Sequence, residues 1–151
     1  MEKDLNILII NGPNLNMLGV REPEQYGSKS YKDIEMELHE YSFELGVNIE
    51  IFQSNYEGEI VDKIQDALGN FDGIVINAGA YTHTSLAIRD ALLSVKIPTV
   101  EIHISNIYRR EEFRHESMFA DVCVGQICGF KIDSYKLGMQ GLVNFLTSAN
   151  D

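Results

Sequence analysis

Cysteine and proline are both scarce in this sequence of 151 residues. Its two cysteines, Cys123 and Cys128, lie in an apolar stretch and form neither a CxxC motif nor a metal-binding cluster, so we expect them to be core residues. There are three prolines and no low-complexity tract that could serve as a linker. We therefore expect a single domain over residues 1–151.

Basic residues and long apolar runs are scarce as well. Twelve lysines and arginines against 23 aspartates and glutamates give a net charge of −11, which argues against nucleic acid or an anionic membrane as a partner. No apolar run approaches the roughly 20 residues of a membrane span. The charged start, Met1 to Asp4, is unlike a signal peptide. Together these features predict a cytoplasmic protein without a membrane partner.

Short apolar runs alternate with segments of helical periodicity along the chain, in the order βαβαβαβαβα. The clearest helix begins at Ser30, which with Asp33 resembles a capping box, and ends at Gly46. The last strand is expected near Val122 to Val124. Strands separated by helices pair in parallel. The sequence therefore predicts an α/β protein: a flavodoxin-like five-stranded parallel sheet with helices on both faces.

Two polar segments follow strands that are expected to end at the ligand-binding edge of the sheet. Residues 11–26 form a long connection without the GxGxxG or P-loop patterns of nucleotide sites. It could also be a surface excursion in which Arg21 pairs with a glutamate. Residues 77–85 bring small residues and hydroxyls to a helix start. The backbone N–H groups exposed there could bind a carboxylate or phosphate. Alternatively, this segment simply caps the helix and leaves His83 in solvent.

A third segment, residues 99–105, carries Glu101 and His103 on one face of a strand, because side chains alternate. A glutamate holds the tautomer of a neighbouring histidine and suits it to general acid catalysis, although a buried structural pair is the alternative. Arg110 and Arg114 follow, four residues apart on one face of a predicted short helix. They fit an anionic substrate or a solvated surface.

Three long motifs occur in order along the chain: NGPNLNMLG with REPEQYG, then NAGAYTHTS, then EIHISNIYRREEFR. On these motifs the chain resembles the type II 3-dehydroquinate dehydratases of the shikimate pathway, from Leu5 to the last helix. The resemblance implies a flavodoxin-like fold, no metal or organic cofactor, and a homo-dodecamer of four trimers. It also implies a small carboxylate substrate, 3-dehydroquinate, which loses water by anti elimination through an enolate or enol.

The same resemblance implies the catalytic roles of five residues. Tyr26 would be the base that takes a proton from the carbon next to the ketone, and Arg21 would favour its ionised form and stabilise the transition state. Asn14 would help to hold a water near the developing enolate. His103 would protonate the departing hydroxyl, oriented by Glu101.

Further residues are implied to bind the substrate: Asn77, His83, Ile104, Ser105, Arg110 and Arg114. Asp90 is implied to contribute to the site of a neighbouring subunit. The chain departs from the family pattern at residues 117–121 and 131–135, where the second segment replaces a glycine-rich turn. These departures concern packing and subunit contacts and leave the catalytic motifs intact.

Two other functions fit the same fold class. A binding or electron-transfer module such as a flavodoxin would carry a Ser/Thr/Gly phosphate loop after the first strand, where this sequence has Asn-Gly-Pro-Asn at residues 11–14. A catalytically dead scaffold would not need Tyr26, Arg21 and His103, all of which are present. The sequence therefore favours the enzyme.

Overall fold

Within residues 4–20 and 22–148, which the computed structural model describes, the chain forms five strands and five α-helices. The strands are β1 (Asn6–Asn11), β2 (Asn48–Gln53), β3 (Gly73–Asn77), β4 (Thr99–His103) and β5 (Gly125–Cys128). The helices are α1 (Pro23–Tyr26), α2 (Tyr31–Leu45), α3 (Glu57–Asp66), α4 (Leu86–Val95) and α5 (Asp133–Thr147). All strand pairs are parallel, in the order β2-β1-β3-β4-β5.

Helices cover both faces of this sheet, as the alternation of strands and helices predicts. Alternate residues of β1 face two separate cores: Ile7 and Ile9 pack with α2 and α5, while Leu8 and Ile10 pack with α3 and α4. All four side chains are fully buried. Burying a side chain of this size contributes about 1.5–3 kcal/mol. The α/β, flavodoxin-like fold class is therefore confirmed.

Local sequence determines where α2 begins and ends. The Ser30 hydroxyl accepts a hydrogen bond from the backbone N–H of Asp33 (3.1 Å), and the Asp33 carboxylate accepts one from the N–H of Ser30 (3.2 Å). Gly46 ends the helix in the left-handed region at φ 72°, which glycine adopts without steric cost. The predicted capping box and glycine stop are both confirmed.

The predicted charged helix after β4 is wrong. Residues 107–109 and 112–114 form two separate 3-10 turns, and Arg110 between them is extended, so Arg110 and Arg114 do not share a helical face. In an α-helix the carbonyl of Arg110 would accept from the N–H of Arg114. Instead it accepts from the His115 ring (2.9 Å), while the N–H of Arg114 donates to Glu111 (2.8 Å). Competing hydrogen bonds therefore break the helix.

The last strand also lies slightly later in the chain than predicted. Residues 120–122 form a 3-10 turn, and the pairing with β4 begins where the N–H of Val124 donates to the carbonyl of Thr99 (2.7 Å). Cys123 precedes this strand and Cys128 is its last residue, and both are only partly buried. Burial raises the pKa of the Cys123 thiol to about 12 and that of Cys128 to about 11, so both remain protonated at neutral pH.

The ends of β1 and β3 are held against each other at the edge where the function is expected. The N–H of Gly12 donates to the carbonyl of Asn77 (2.8 Å). A Cβ atom at Gly12 would lie 2.2 Å from the carbonyl oxygen of Ala78, so only glycine fits this approach. The two polar segments after these strands are therefore brought side by side.

Candidate active site

The polar segments that follow β1, β3 and β4 meet in one pocket at the carboxyl ends of these strands. Its volume is about 190 Å³, below the roughly 300–1,000 Å³ of sites for drug-sized ligands, so it suits a small metabolite. The lining includes nine residues named from the sequence: Asn14, Tyr26, Asn77, His83, His103, Ile104, Ser105, Arg110 and Arg114.

Two described residues named from the sequence do not line this pocket. Glu101 is fully buried beside His103. Asp90 is exposed on α4, and its carbonyl accepts from the Ser94 hydroxyl (2.7 Å). Arg21 lies outside the described residues.

His103 is held by a buried carboxylate. Its Nε2 lies 2.6 Å from Oε2 of Glu101, and because a carboxylate accepts, Nε2 carries a proton there. The Ser117 hydroxyl (2.6 Å) and the Gln126 amide (2.7 Å) also donate to Glu101. Burial alone would raise the pKa of this carboxyl, but the bonds from His103, Ser117 and Gln126 outweigh it and lower the pKa. Glu101 is therefore ionised at neutral pH.

Sequence analysis did not identify Ser117 and Gln126 as members of this group. Both lie far from Glu101 along the chain, and neither belongs to one of the three motifs. A buried carboxylate needs several donors, so the sequence indicates that such partners exist without indicating which residues they are.

A second histidine lies beside His103. The rings of His83 and His103 are stacked, with centroids 6.3 Å apart and planes inclined by 20°. Nδ1 of His83 donates to the carbonyl of Glu116 (2.7 Å), which leaves Nε2 as an acceptor. Burial, more than the nearby charges, lowers the pKa of His83. His83 is therefore a fixed, neutral hydrogen-bonding group rather than the solvated side chain that simple helix capping would leave.

Tyr26 enters the pocket from α1 and meets Arg110. Nη1 of Arg110 donates to the Tyr26 hydroxyl at 2.5 Å, and the guanidinium lies 5.2 Å from the centre of the tyrosine ring. The Arg110 side chain is only 8% exposed, and it also lies 3.5 Å from the Glu22 carboxylate. The guanidinium therefore contacts both the oxygen and the ring of Tyr26.

Positive charge dominates the pocket lining. Among the described residues that line it are Arg110 and Arg114, and none is an aspartate or glutamate. Nε of Arg114 is bonded to Glu111 (2.9 Å), and a guanidinium carries further N–H donors on its two terminal nitrogens. The pocket therefore suits an anionic ligand.

Asn77 is oriented from within the core. Its Nδ2 donates to the Tyr135 hydroxyl (3.0 Å), and its Oδ1 accepts from the N–H of Gly79 (3.3 Å). The Tyr135 hydroxyl in turn donates to Oδ1 of Asn11. Tyr135 is fully buried on α5, and it belongs to none of the three motifs. A buried tyrosine hydroxyl requires a partner, which is the one signal that could have marked it.

The described residues show neither a metal site nor a membrane-spanning helix. No group of three or more histidines, cysteines, aspartates and glutamates there is arranged to hold a metal ion. No described helix has both the length and the apolar character needed to cross a membrane.

Sequence comparison relates the chain to one family. Residues 5–143 match the family described as dehydroquinase class II. The chain is 61% identical over 142 residues to a protein of Prochlorococcus marinus (strain MIT 9515) that is named 3-dehydroquinate dehydratase, and the match covers 94% of this chain and 97% of that protein.

Solved structures lead to the same family. A type II dehydroquinase from Butyrivibrio crossotus DSM 2876 superposes with a TM-score of 0.91 at 51% identity, covering 93% of this chain and 98% of the other. A type II dehydroquinase from Propionibacterium acnes superposes with a TM-score of 0.87 at 39% identity, covering 96% and 99%. The fold is therefore similar to that of solved type II dehydroquinases.

Proposed function

The chain belongs to the dehydroquinase class II family, and on this premise we propose how its pocket removes water from 3-dehydroquinate. Its activity is that of a type II 3-dehydroquinate dehydratase, which forms 3-dehydroshikimate in the shikimate pathway. The observation that carries the proposal is the Tyr26 hydroxyl bonded to Arg110 in the same pocket as the Glu101–His103 pair. These groups supply a base and an acid for anti elimination.

The first step is removal of a proton by Tyr26. The phenolate takes the proton from the carbon next to the ketone, and the electron pair of that C–H bond forms an enolate. The guanidinium of Arg110, 2.5 Å from the tyrosine oxygen, favours the phenolate. Arg21 is proposed to act in the same way. Asn14, which lines the pocket, is proposed to hold a water against the developing enolate oxygen.

The second step is loss of the hydroxyl. The enolate re-forms the ketone, a carbon–carbon double bond forms, and the C–O bond to the hydroxyl breaks. His103 gives the hydroxyl a proton so that it leaves as water. Since Nε2 is bonded to Glu101, the proton for the pocket has to come from Nδ1. A proton then returns from Tyr26 to His103 through solvent, which completes the cycle.

The remaining lining residues are proposed to bind the substrate. Arg114 and the Ile104–Ser105 segment at the end of β4 offer a guanidinium, backbone N–H groups and a hydroxyl to the carboxylate. Asn77 and His83 have amide and ring groups that the protein itself holds in fixed orientations. They are proposed to bind the substrate hydroxyl groups.

The assembly is proposed to be a homo-dodecamer of four trimers in the cytoplasm. In such an assembly Asp90 would complete the site of a neighbouring subunit. Its exposed position on α4, away from the lining of its own pocket, supports this role. The alternative of a flavodoxin-like binding or electron-transfer module is not favoured, because the dehydroquinase match extends over residues 5–143.

A turnover assay tests the proposed function. Purified protein is mixed with 3-dehydroquinate in buffer containing a metal chelator, and the ultraviolet absorbance of the conjugated product is followed. We expect enzyme-dependent turnover that persists under chelation, with substrate alone as the control. Folded protein that produces no product would contradict the proposal.

A further inference from the structure

The segment that carries Tyr26 has little apolar packing to hold it. Tyr26 itself is partly buried against the core, but α1 contains no buried residue. This segment, Ile34 and Ile132 line a common cavity of about 390 Å³. Because apolar burial is small here, polar contacts have to hold the segment over the pocket.

Lys131 makes contacts on both sides of Tyr26. Its Nζ donates to the carbonyl of Glu24 at 3.1 Å, within the one-turn helix α1. The Lys131 stem passes close to Gly27, where a Cβ atom would lie 3.7 Å from Cδ. The side chain thus bonds to the segment two residues before Tyr26 and lies near it one residue after Tyr26.

The backbone of Lys131 is anchored to the base of the pocket. Its N–H donates to the carbonyl of Ile104 (2.9 Å), next to Ser105 in the pocket lining, and its carbonyl accepts from the N–H of Ser134 (3.1 Å). Lys131 lies at φ 53°, a left-handed conformation that is strained for lysine and unstrained for glycine. A strained lysine at this position points to a function of its side chain.

We propose that Lys131 is a positioning residue that holds the Tyr26 segment, residues 22–28, over the pocket. This inference rests on the proposed function, in which Tyr26 is the base. Without the bond to Glu24, fewer molecules hold Tyr26 in place before substrate arrives. The apparent affinity for substrate falls with the fraction of molecules in which Tyr26 is in place. Once substrate is bound, it still brings the segment over the pocket. The loss therefore raises KM and leaves kcat nearly unchanged.

Three substitutions separate positioning from structural support. Lys131→Met removes the donor and keeps most of the stem, and Lys131→Gly removes the donor together with the backbone strain. We expect both to raise KM about three- to tenfold, as for loss of one hydrogen bond, with kcat little changed. Lys131→Gly should also raise the melting temperature. Lys131→Arg restores a donor and should restore KM.

A matched control excludes a simple charge effect on an anionic substrate. Lys29 lines the same cavity as Lys131 but pairs with Glu37 (2.6 Å), so Lys29→Met should leave KM unchanged. If Lys29→Met raised KM as much as Lys131→Met does, the effect would come from loss of positive charge, and the proposal would be overturned.

Hydrogen exchange provides a readout that does not depend on activity. The N–H groups of Tyr26 and Gly27 donate to Glu22 and Pro23, and in substrate-free Lys131→Met and Lys131→Gly they should exchange faster than in the wild type. Unchanged exchange, or faster exchange with unchanged KM, would overturn the role of Lys131. Absence of wild-type turnover would instead overturn the proposed function, and exchange would still decide whether Lys131 orders this segment.

Discussion

Arg110 and Tyr26 lie 84 residues apart in the sequence, and the guanidinium of one donates a 2.5 Å hydrogen bond to the hydroxyl of the other. Arg110 follows β4 and Tyr26 lies on α1, so the bond joins the segments after two strands that are not neighbours in the sheet. A cation in this position stabilises negative charge on the tyrosine oxygen more than it stabilises the neutral hydroxyl. Four predictions follow from this geometry and from the proposed roles.

Tyr26→Phe removes the hydroxyl that is proposed as the base. We expect turnover to fall by at least about 10²–10⁴-fold, the usual contribution of general base catalysis. The melting temperature should change little, because the residue is only partly buried. Tyr56→Phe, at a tyrosine that is 68% exposed, is the control. Activity of Tyr26→Phe near that of the wild type would exclude Tyr26 as the base.

Arg110→Ala removes the cation beside the Tyr26 hydroxyl. Arg110→Lys keeps a positive charge but replaces the planar guanidinium with an ammonium group in a different position. Because the cation stabilises negative charge on the Tyr26 oxygen, we expect its loss in Arg110→Ala to lower kcat by about 10²–10³-fold, as for loss of one charge-stabilising donor. Arg110→Lys should lose less, because it keeps the charge without the guanidinium geometry. A raised KM with unchanged kcat in Arg110→Ala would limit Arg110 to substrate binding.

Glu101→Gln places an amide where three groups donate to a carboxylate. The new N–H donors face those of His103 and Gln126, so we expect the free energy of unfolding at neutral pH to fall by about 1–3 kcal/mol. Because the pKa of Glu101 is lowered in the folded protein, its ionised form stabilises the fold at pH values above the ordinary carboxyl pKa. This stabilisation is lost as pH falls below that value and through the pKa of the folded state. The difference from the wild type should therefore shrink at acid pH.

Urea unfolding at neutral pH and near pH 4 measures this effect of Glu101→Gln. The control is Glu44→Gln, at an exposed position on α2, where the change should stay within about 0.5 kcal/mol. A difference from the wild type that does not depend on pH would show that the Glu101 charge is not linked to stability.

Asp90→Ala tests the proposed sharing of sites between subunits. Alone, the variant should bind substrate more weakly. Co-expressed with Tyr26→Phe, it should recover activity, because a site formed by one subunit of each kind can contain both intact residues. Random mixing in a closed symmetric assembly leaves about a quarter of the sites intact. Mixed protein no more active than the separate variants would argue that each site is self-contained.

The sequence was sufficient for the features that depend on neighbouring residues. The ends of α2 follow from Ser30, Asp33 and Gly46, whose hydrogen bonds and backbone conformations involve residues only a few positions away. The sheet follows from the alternation of strands and helices, and parallel strands bring the segments that follow them to one edge. For this reason the three segments of the candidate site could be placed together, while the family resemblance implied most of the residues within them.

Tertiary structure decided the contacts between distant segments. The bond of Arg110 to Tyr26 joins residues 84 positions apart. The bonds of Gln126 to Glu101 and of Lys131 to Glu24 also join residues that no local pattern connects. Periodicity and capping are properties of a few adjacent residues, whereas these bonds form only when the folded chain brings their partners within about 3 Å.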